Sequence, residues 1–129
     1  MDIYTSLLQA VSSEYDTVRQ LKSSPRGSVR VVRSRSSGTR YILREYEGSG
    51  EVYRRLLTMS CANLPRVMEA GERDGRVAVL EEYVQGDTLA YLLRGALLSQ
   101  RDAVRITRQL CGALWVLHSL GVVHRDVKL

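Results

Sequence analysis

The sequence predicts an α+β fold, with five strands and one inserted helix followed by further helices. Three observations carry this prediction. β-Branched, partly alternating segments recur between turn residues in the first part of the chain. One segment of helical composition interrupts them after the third strand. The last part holds a long stretch with apolar residues at helical spacing.

Taken in order, residues Ile3 to Ser13 place Ile3, Leu7 and Val11 at i, i+4 and i+8, the pattern of a short amphipathic helix. Tyr15 to Lys22 reads as a strand, stopped by the turn-forming run Ser23-Ser24-Pro25-Arg26-Gly27. Val29 to Arg35 is β-branched and partly alternating, Ser36-Ser37-Gly38 turns the chain, and Thr39 to Tyr46 returns as a third strand. Glu47-Gly48-Ser49-Gly50 is a flexible link into a helix over Glu51 to Met59, which ends at Cys61-Ala62-Asn63-Leu64-Pro65. Two strands follow, Arg66 to Glu72 and Arg76 to Tyr83, joined at Asp74-Gly75. Gly86-Asp87 opens a short helix through Leu93.

The clearest helix runs from Ser99 to Leu120. Ile106, Leu110, Ala113, Leu114 and Leu117 form its apolar stripe, and Arg101, Arg105 and Arg108 its solvated side. Ser99 with Asp102 three residues on is close to a capping box.

Composition narrows the function classes. A chain of 129 residues is one domain by length and long enough for a hydrophobic core. Hydrophobic content of 44% and charged content of 26% are ordinary for a globular chain. The net charge is +5, and every basic residue except Lys22 and Lys128 is arginine. These arginines are scattered and no aromatic-interleaved basic block occurs, so nucleic acid is not an expected partner. Cys61 and Cys111 have no metal-ligand spacing, so no metal site is expected in this chain. Two isolated cysteines fit a reducing cytosol, each as a small buried hydrophobe. Neither a signal peptide nor a membrane span is visible, and a cytoplasmic location is expected.

The chain closes on Val123-His124-Arg125-Asp126-Val127-Lys128, approached through Leu117-His118 and Gly121. Taken alone, His-Arg-Asp also fits a charged tail after a helix. In element order and in this motif, however, the chain resembles the amino-terminal lobe of a eukaryotic-like protein kinase. The resemblance runs from about Tyr15 to just inside the carboxy-terminal lobe. It implies a five-stranded antiparallel sheet plus one helix, then the first helices of the second lobe, with residues 1–14 as an extension and 15–129 as the kinase-like domain. It also implies that Asp126 accepts or orients the substrate hydroxyl proton and that Lys128 contacts the transferred phosphoryl group. Lysine two residues after the aspartate points to the serine/threonine class. His124 and Arg125 take scaffolding places.

Val79 to Leu89 resembles the strand and hinge between the lobes, so Glu82 and Val84 are expected to offer backbone groups to adenine. An edge strand and turn would look the same in isolation. Glu81 takes the gatekeeper place, where an apolar residue is commoner, and a buried carboxylate there requires a partner or a solvent contact.

Two places depart from the family pattern. Aligning Leu21 and Val29 with the glycine-rich loop leaves Gly27 as the one surviving glycine, with Lys22 and Ser24 in the other two places. Pro25 also removes an N–H donor. A polar hairpin and a phosphate clamp fit this stretch equally. On the third strand, Tyr41-Ile42-Leu43-Arg44 stands where Val-Ala-Ile-Lys is expected. Period two puts Ile42 and Arg44 on one face. Arg44 keeps the charge in a larger, planar fork. Glu51 is either its partner on the following helix or an i,i+4 partner of Arg55.

The implied function is serine/threonine protein kinase activity, present here as a fragment. ATP and a protein substrate would be its partners, with Leu21, Gly27, Val29, Ile42, Arg44, Glu51, Glu82 and Val84 on the nucleotide side. Magnesium is implied as well, with its expected ligands past Leu129. The alternative is a pseudokinase-like binding module, favoured by the altered loop, Arg44 and Glu81.

Overall fold

The computed structural model describes residues 1–129. Helix α1 (Ile3–Glu14) starts where the Asp2 carboxylate accepts the Thr5 N–H at 2.7 Å. It buries Leu7 and Val11 and passes directly into the sheet, because Tyr15 is already extended. Strands β1 (Tyr15–Ser24), β2 (Gly27–Ser34) and β3 (Arg40–Glu47) follow, then α2 (Glu51–Leu56), β4 (Val67–Arg73) and β5 (Arg76–Glu82). The sheet is antiparallel throughout, in the order β1-β2-β3-β5-β4.

Most boundaries shift by a residue or two from the sequence expectation, and three differences have a visible local cause or extent. β1 continues to Ser24, because Ser23 pairs with Ser28 and Ser24 with Gly27. The expected five-residue turn is therefore only Pro25-Arg26, with proline's fixed φ suiting its first place. Helix α2 stops at Leu56, short of Met59. The Thr58 and Met59 N–H groups bond three residues back, to Arg55 and Leu56, and the Thr58 hydroxyl also donates to the Arg55 carbonyl. The third is the short helix, α3, which is the single turn Leu89–Leu92. The Asp74-Gly75 turn stands as expected, with both residues at positive φ (50° and 76°), the pattern of a type I′ hairpin.

Period two divides the sheet into two apolar faces. One face, with Val32, Leu43, Ala78 and Leu80, packs on Leu7 and Val11 of α1. The other, with Val67, Ala70, Val77 and Val79, packs on Tyr46 and on Tyr53 and Leu56 of α2. Burying an aliphatic side chain of this kind is worth about 1.5–3 kcal/mol.

The chain divides into two compact units, Met1–Ser60 with Pro65–Tyr83, and Cys61–Leu64 with Val84–Leu129. In the second unit α3 is capped by the Thr88 hydroxyl and α4 (Gln100–Ser119) by the Ser99 hydroxyl, which accepts the Asp102 N–H at 3.1 Å. Helix α4 ends in a Schellman motif. Gly121, at φ 78°, donates to the His118 carbonyl, and Val122 to that of Leu117. Of the expected apolar stripe only Ala113 and Leu117 are buried, and Leu110 is exposed. The cysteines also depart from expectation: Cys61 is half-buried and Cys111 exposed, since two positions along a helix place Cys111 away from the buried Ala113.

Candidate active site

In the first unit the site is built on neighbouring strands. Ile42 lies opposite Glu81, and Arg44 opposite Val79, so Arg44 and Glu81 are diagonal neighbours on one face. Arg44 Nη2 donates to Glu81 Oε1 at 2.8 Å, with the carboxylate side chain 11% exposed and the arginine 34%. The buried Glu81 carboxylate thus has a partner, and that partner is Arg44. Burial pulls the guanidinium toward losing its proton, but the hydrogen bond and charge of Glu81 outweigh it, so the net shift is upward. Arg44 Nε is buried without a partner.

Glu51 stands elsewhere. Its carboxylate is exposed and binds Arg55 one turn on at 2.6 Å, so Arg44 is not its partner in this structure. Of the two partners open to Glu51 in the sequence, the structure pairs it with the i,i+4 arginine. Toward Arg44, α2 presents Tyr53 instead. Burial raises the Tyr53 phenol, against the nearby Arg44 charge and with that of Glu81. The Tyr46 ring leans on Tyr53 with centroids 6.0 Å apart. Neither tyrosine stands out in the sequence. Their only signal was the same-face spacing of Tyr46 with Arg44.

The β1–β2 turn contains no glycine. Gly27 begins β2 and lies against β3, where an added Cβ would fall 2.3 Å from the Glu45 carbonyl oxygen. Close approach of two strands therefore explains this glycine. Val29 pairs with Arg44 across β2 and β3 and is half-buried, whereas Leu21 on β1 is 47% exposed. At the end of β5 the Glu82 N–H donates to the Arg66 carbonyl at 2.8 Å. Val84, the first residue of the second unit's longer segment, is exposed.

In the second unit the loop after α4 brings Asp126 and Lys128 together, Oδ2 to Nζ at 3.3 Å, both side chains exposed. The Asp126 N–H donates to His124 Nδ1 at 3.1 Å, and Arg125 between them has φ 67°. A left-handed conformation costs a non-glycine residue about 1–2 kcal/mol. Such residues cluster at functional sites.

The protein kinase domain family matches residues 27–129 of this sequence. The chain belongs to that family. Over 82 residues this kinase domain is 34% identical to NUAK family SNF1-like kinase 2 of Rattus norvegicus, covering 60% of this chain and 13% of that protein. It is 24% identical over 143 aligned positions to the serine/threonine-protein kinase cds1 of Schizosaccharomyces pombe, covering 98% of this chain and 31% of the relative. The chain thus spans well under half the length of these curated relatives. The fold is that of a crystal structure of Rad53 residues 1–466 in complex with AMP-PNP, at TM-score 0.73 and 18% identity, covering 96% of this chain and 36% of that one. The α+β expectation, a five-stranded sheet with helices from the start of a second lobe, holds.

Against a nucleotide, the kinase domain's first unit fits in charge and apolar character. Arg44 keeps exposed donors beside Val29 and Ile42. No three carboxylate, histidine or cysteine side chains of this chain converge on one point. No helix is long and apolar enough to cross a membrane.

Proposed function

We propose that this kinase domain is of the serine/threonine class and serves transfer of the ATP γ-phosphoryl group to a protein hydroxyl. The observation that carries the reading is the loop at His124-Arg125-Asp126, in which strained backbone, the His124 bond and the Lys128 pair order Asp126. In this reading Asp126 orients the substrate hydroxyl and takes its proton. A positioned general base contributes roughly 10²–10⁴-fold. Lys128 and Arg44 hold phosphate oxygens, and phosphoryl transfer depends chiefly on such positioning and charge. Leu21, Val29, Ile42 and Val84 supply apolar surface for adenine. Glu82, its N–H engaged by Arg66, has its carbonyl to offer. The kinase-like domain is taken as residues 15–129, with α1 as an extension.

The test is radiolabelled phosphate transfer from ATP to a generic serine/threonine substrate by the full-length protein. Slow transfer is expected, abolished by Asp126→Asn. A second reading, a pseudokinase-like binding module, draws on the glycine-free β1–β2 turn and on Arg44 being held by Glu81. It wins if the full-length protein transfers no phosphate and Arg44→Lys does not restore activity.

A further inference from the structure

We infer that Glu81 is the positioning residue for Arg44, so that the cation meeting a nucleotide phosphate is set by the sheet and not by helix α2. The inference rests on the nucleotide-binding reading above. It starts from the only partner the Arg44 guanidinium has in the protein, Glu81 Oε1 at 2.8 Å.

Arginine is long and rotamer-rich, and an unheld side chain loses that freedom when it meets a ligand. A charge-assisted hydrogen bond made beforehand removes part of the loss. The partner's location decides what controls the bond. Glu81 sits on β5 and Arg44 on β3, adjacent strands whose ladder runs without a register shift from Tyr41–Glu82 to Glu47–Arg76. Their separation is therefore fixed by sheet hydrogen bonds.

Helix α2, by contrast, is only six residues long, and its start is held at the Glu51 N–H by Ser49 Oγ and at the Gly50 N–H by Glu72, not by Arg44 or Glu81. Its first carboxylate, Glu51, is turned to Arg55. The Arg44–Glu81 bond is made wholly between β3 and β5, with no α2 residue in it. The Glu81 carboxylate occupies one end of the fork, and about a third of the Arg44 side chain stays exposed for an anion. The gatekeeper acid thus has a role that an apolar residue in its place could not fill.

The experiment measures two things on the same variants. The Arg44 Nη2–H resonance reports the pair without any nucleotide, and calorimetric titration with ATP reports positioning. Glu81→Gln should move the Arg44 resonance to the position of a free arginine and weaken ATP by about tenfold. Glu81→Asp, which keeps the charge but withdraws it by one methylene, should give an intermediate loss and guards against a folding defect in the first variant. Glu51→Gln should change neither reading.

An Arg44 resonance indifferent to Glu81→Gln overturns the inference. So does an ATP affinity that falls with Glu51→Gln and not with Glu81→Gln. If the wild type shows the pair but binds no ATP, the nucleotide reading fails and the positioning role falls with it, an outcome separate from the other two.

Discussion

Gly71 on β4 lies against the backbone of Tyr4 on α1, so closely that an added Cβ would stand 2.4 Å from the Tyr4 amide nitrogen. Backbone cannot yield as a side-chain tip can. Gly71→Ala is expected to lift α1 from the sheet and destabilise the fold by about 1–3 kcal/mol, the usual cost of overpacking. Gly95, with nothing within 4 Å, is the control, and Gly95→Ala should stay within about 0.5 kcal/mol. Urea denaturation checks both. Equal midpoints for the two variants would show that the approach of α1 is not tight.

Leu7 is 3% exposed and joins Val32, Leu43, Ala78 and Leu80 in one apolar cluster. Leu7→Ala should therefore cost about 2–5 kcal/mol. Ile3, on the same helix but 54% exposed, should cost far less when replaced by alanine. Thermal denaturation of the two variants tests whether α1 is part of the folding unit. Similar small losses would make it a loosely attached arm.

Alkaline pH should weaken the fold through its tyrosines. Burial, then the neighbouring Tyr53 and Glu72, pushes the Tyr46 phenol up to about 12, and burial also raises Tyr53 and Tyr15. Unfolded tyrosine ionises near pH 10. Between those values the folded chain holds protons that the unfolded chain has lost. Stability from this source is complete below about pH 10 and declines as pH rises toward about 12. Tyr46→Phe should flatten that decline, at the cost of the Tyr46 hydroxyl bond to the Ser49 carbonyl. Denaturation midpoints across this range, read beside tyrosinate absorbance, give the comparison.

Trp115 is the chain's one tryptophan and is 71% exposed on α4, with Leu110 and Val104 also exposed. Its fluorescence should resemble that of indole in water and be strongly quenched by iodide. Exposed apolar surface on this helix is expected to bind a hydrophobic dye and to drive concentration-dependent association. Trp115→Ser with Leu110→Gln should reduce both. A monomer at every concentration, with no dye binding, contradicts the prediction.

Much of the chain's local order is legible one residue at a time. Ile3, Leu7 and Val11 announce α1, Asp74-Gly75 announces a tight hairpin, and Ser99 announces the start of α4, because each signal acts within one or two turns of backbone. The family resemblance is similarly local at its strongest point, His124-Arg125-Asp126. Gly121 was legible as part of that motif, but its duty as the left-handed residue closing α4 emerges from the bonds at His118 and Leu117.

What the tertiary structure alone decides is partnership across long stretches of chain. Sequence shows that a buried Glu81 needs a partner or solvent, and it offers Arg44 only Glu51 as a candidate partner. Only the β3–β5 register, joining positions 37 apart, makes Arg44 and Glu81 answer each other. The same holds for Gly27 and Gly71. Sequence puts Gly27 in a turn and Gly71 inside a strand, and each is explained by a neighbouring backbone in space, at Glu45 and Tyr4. Propensity and periodicity act over a few residues and are written in their order. Ion-pair choice and close packing depend on which distant segments share a face, and that is settled only when the sheet assembles.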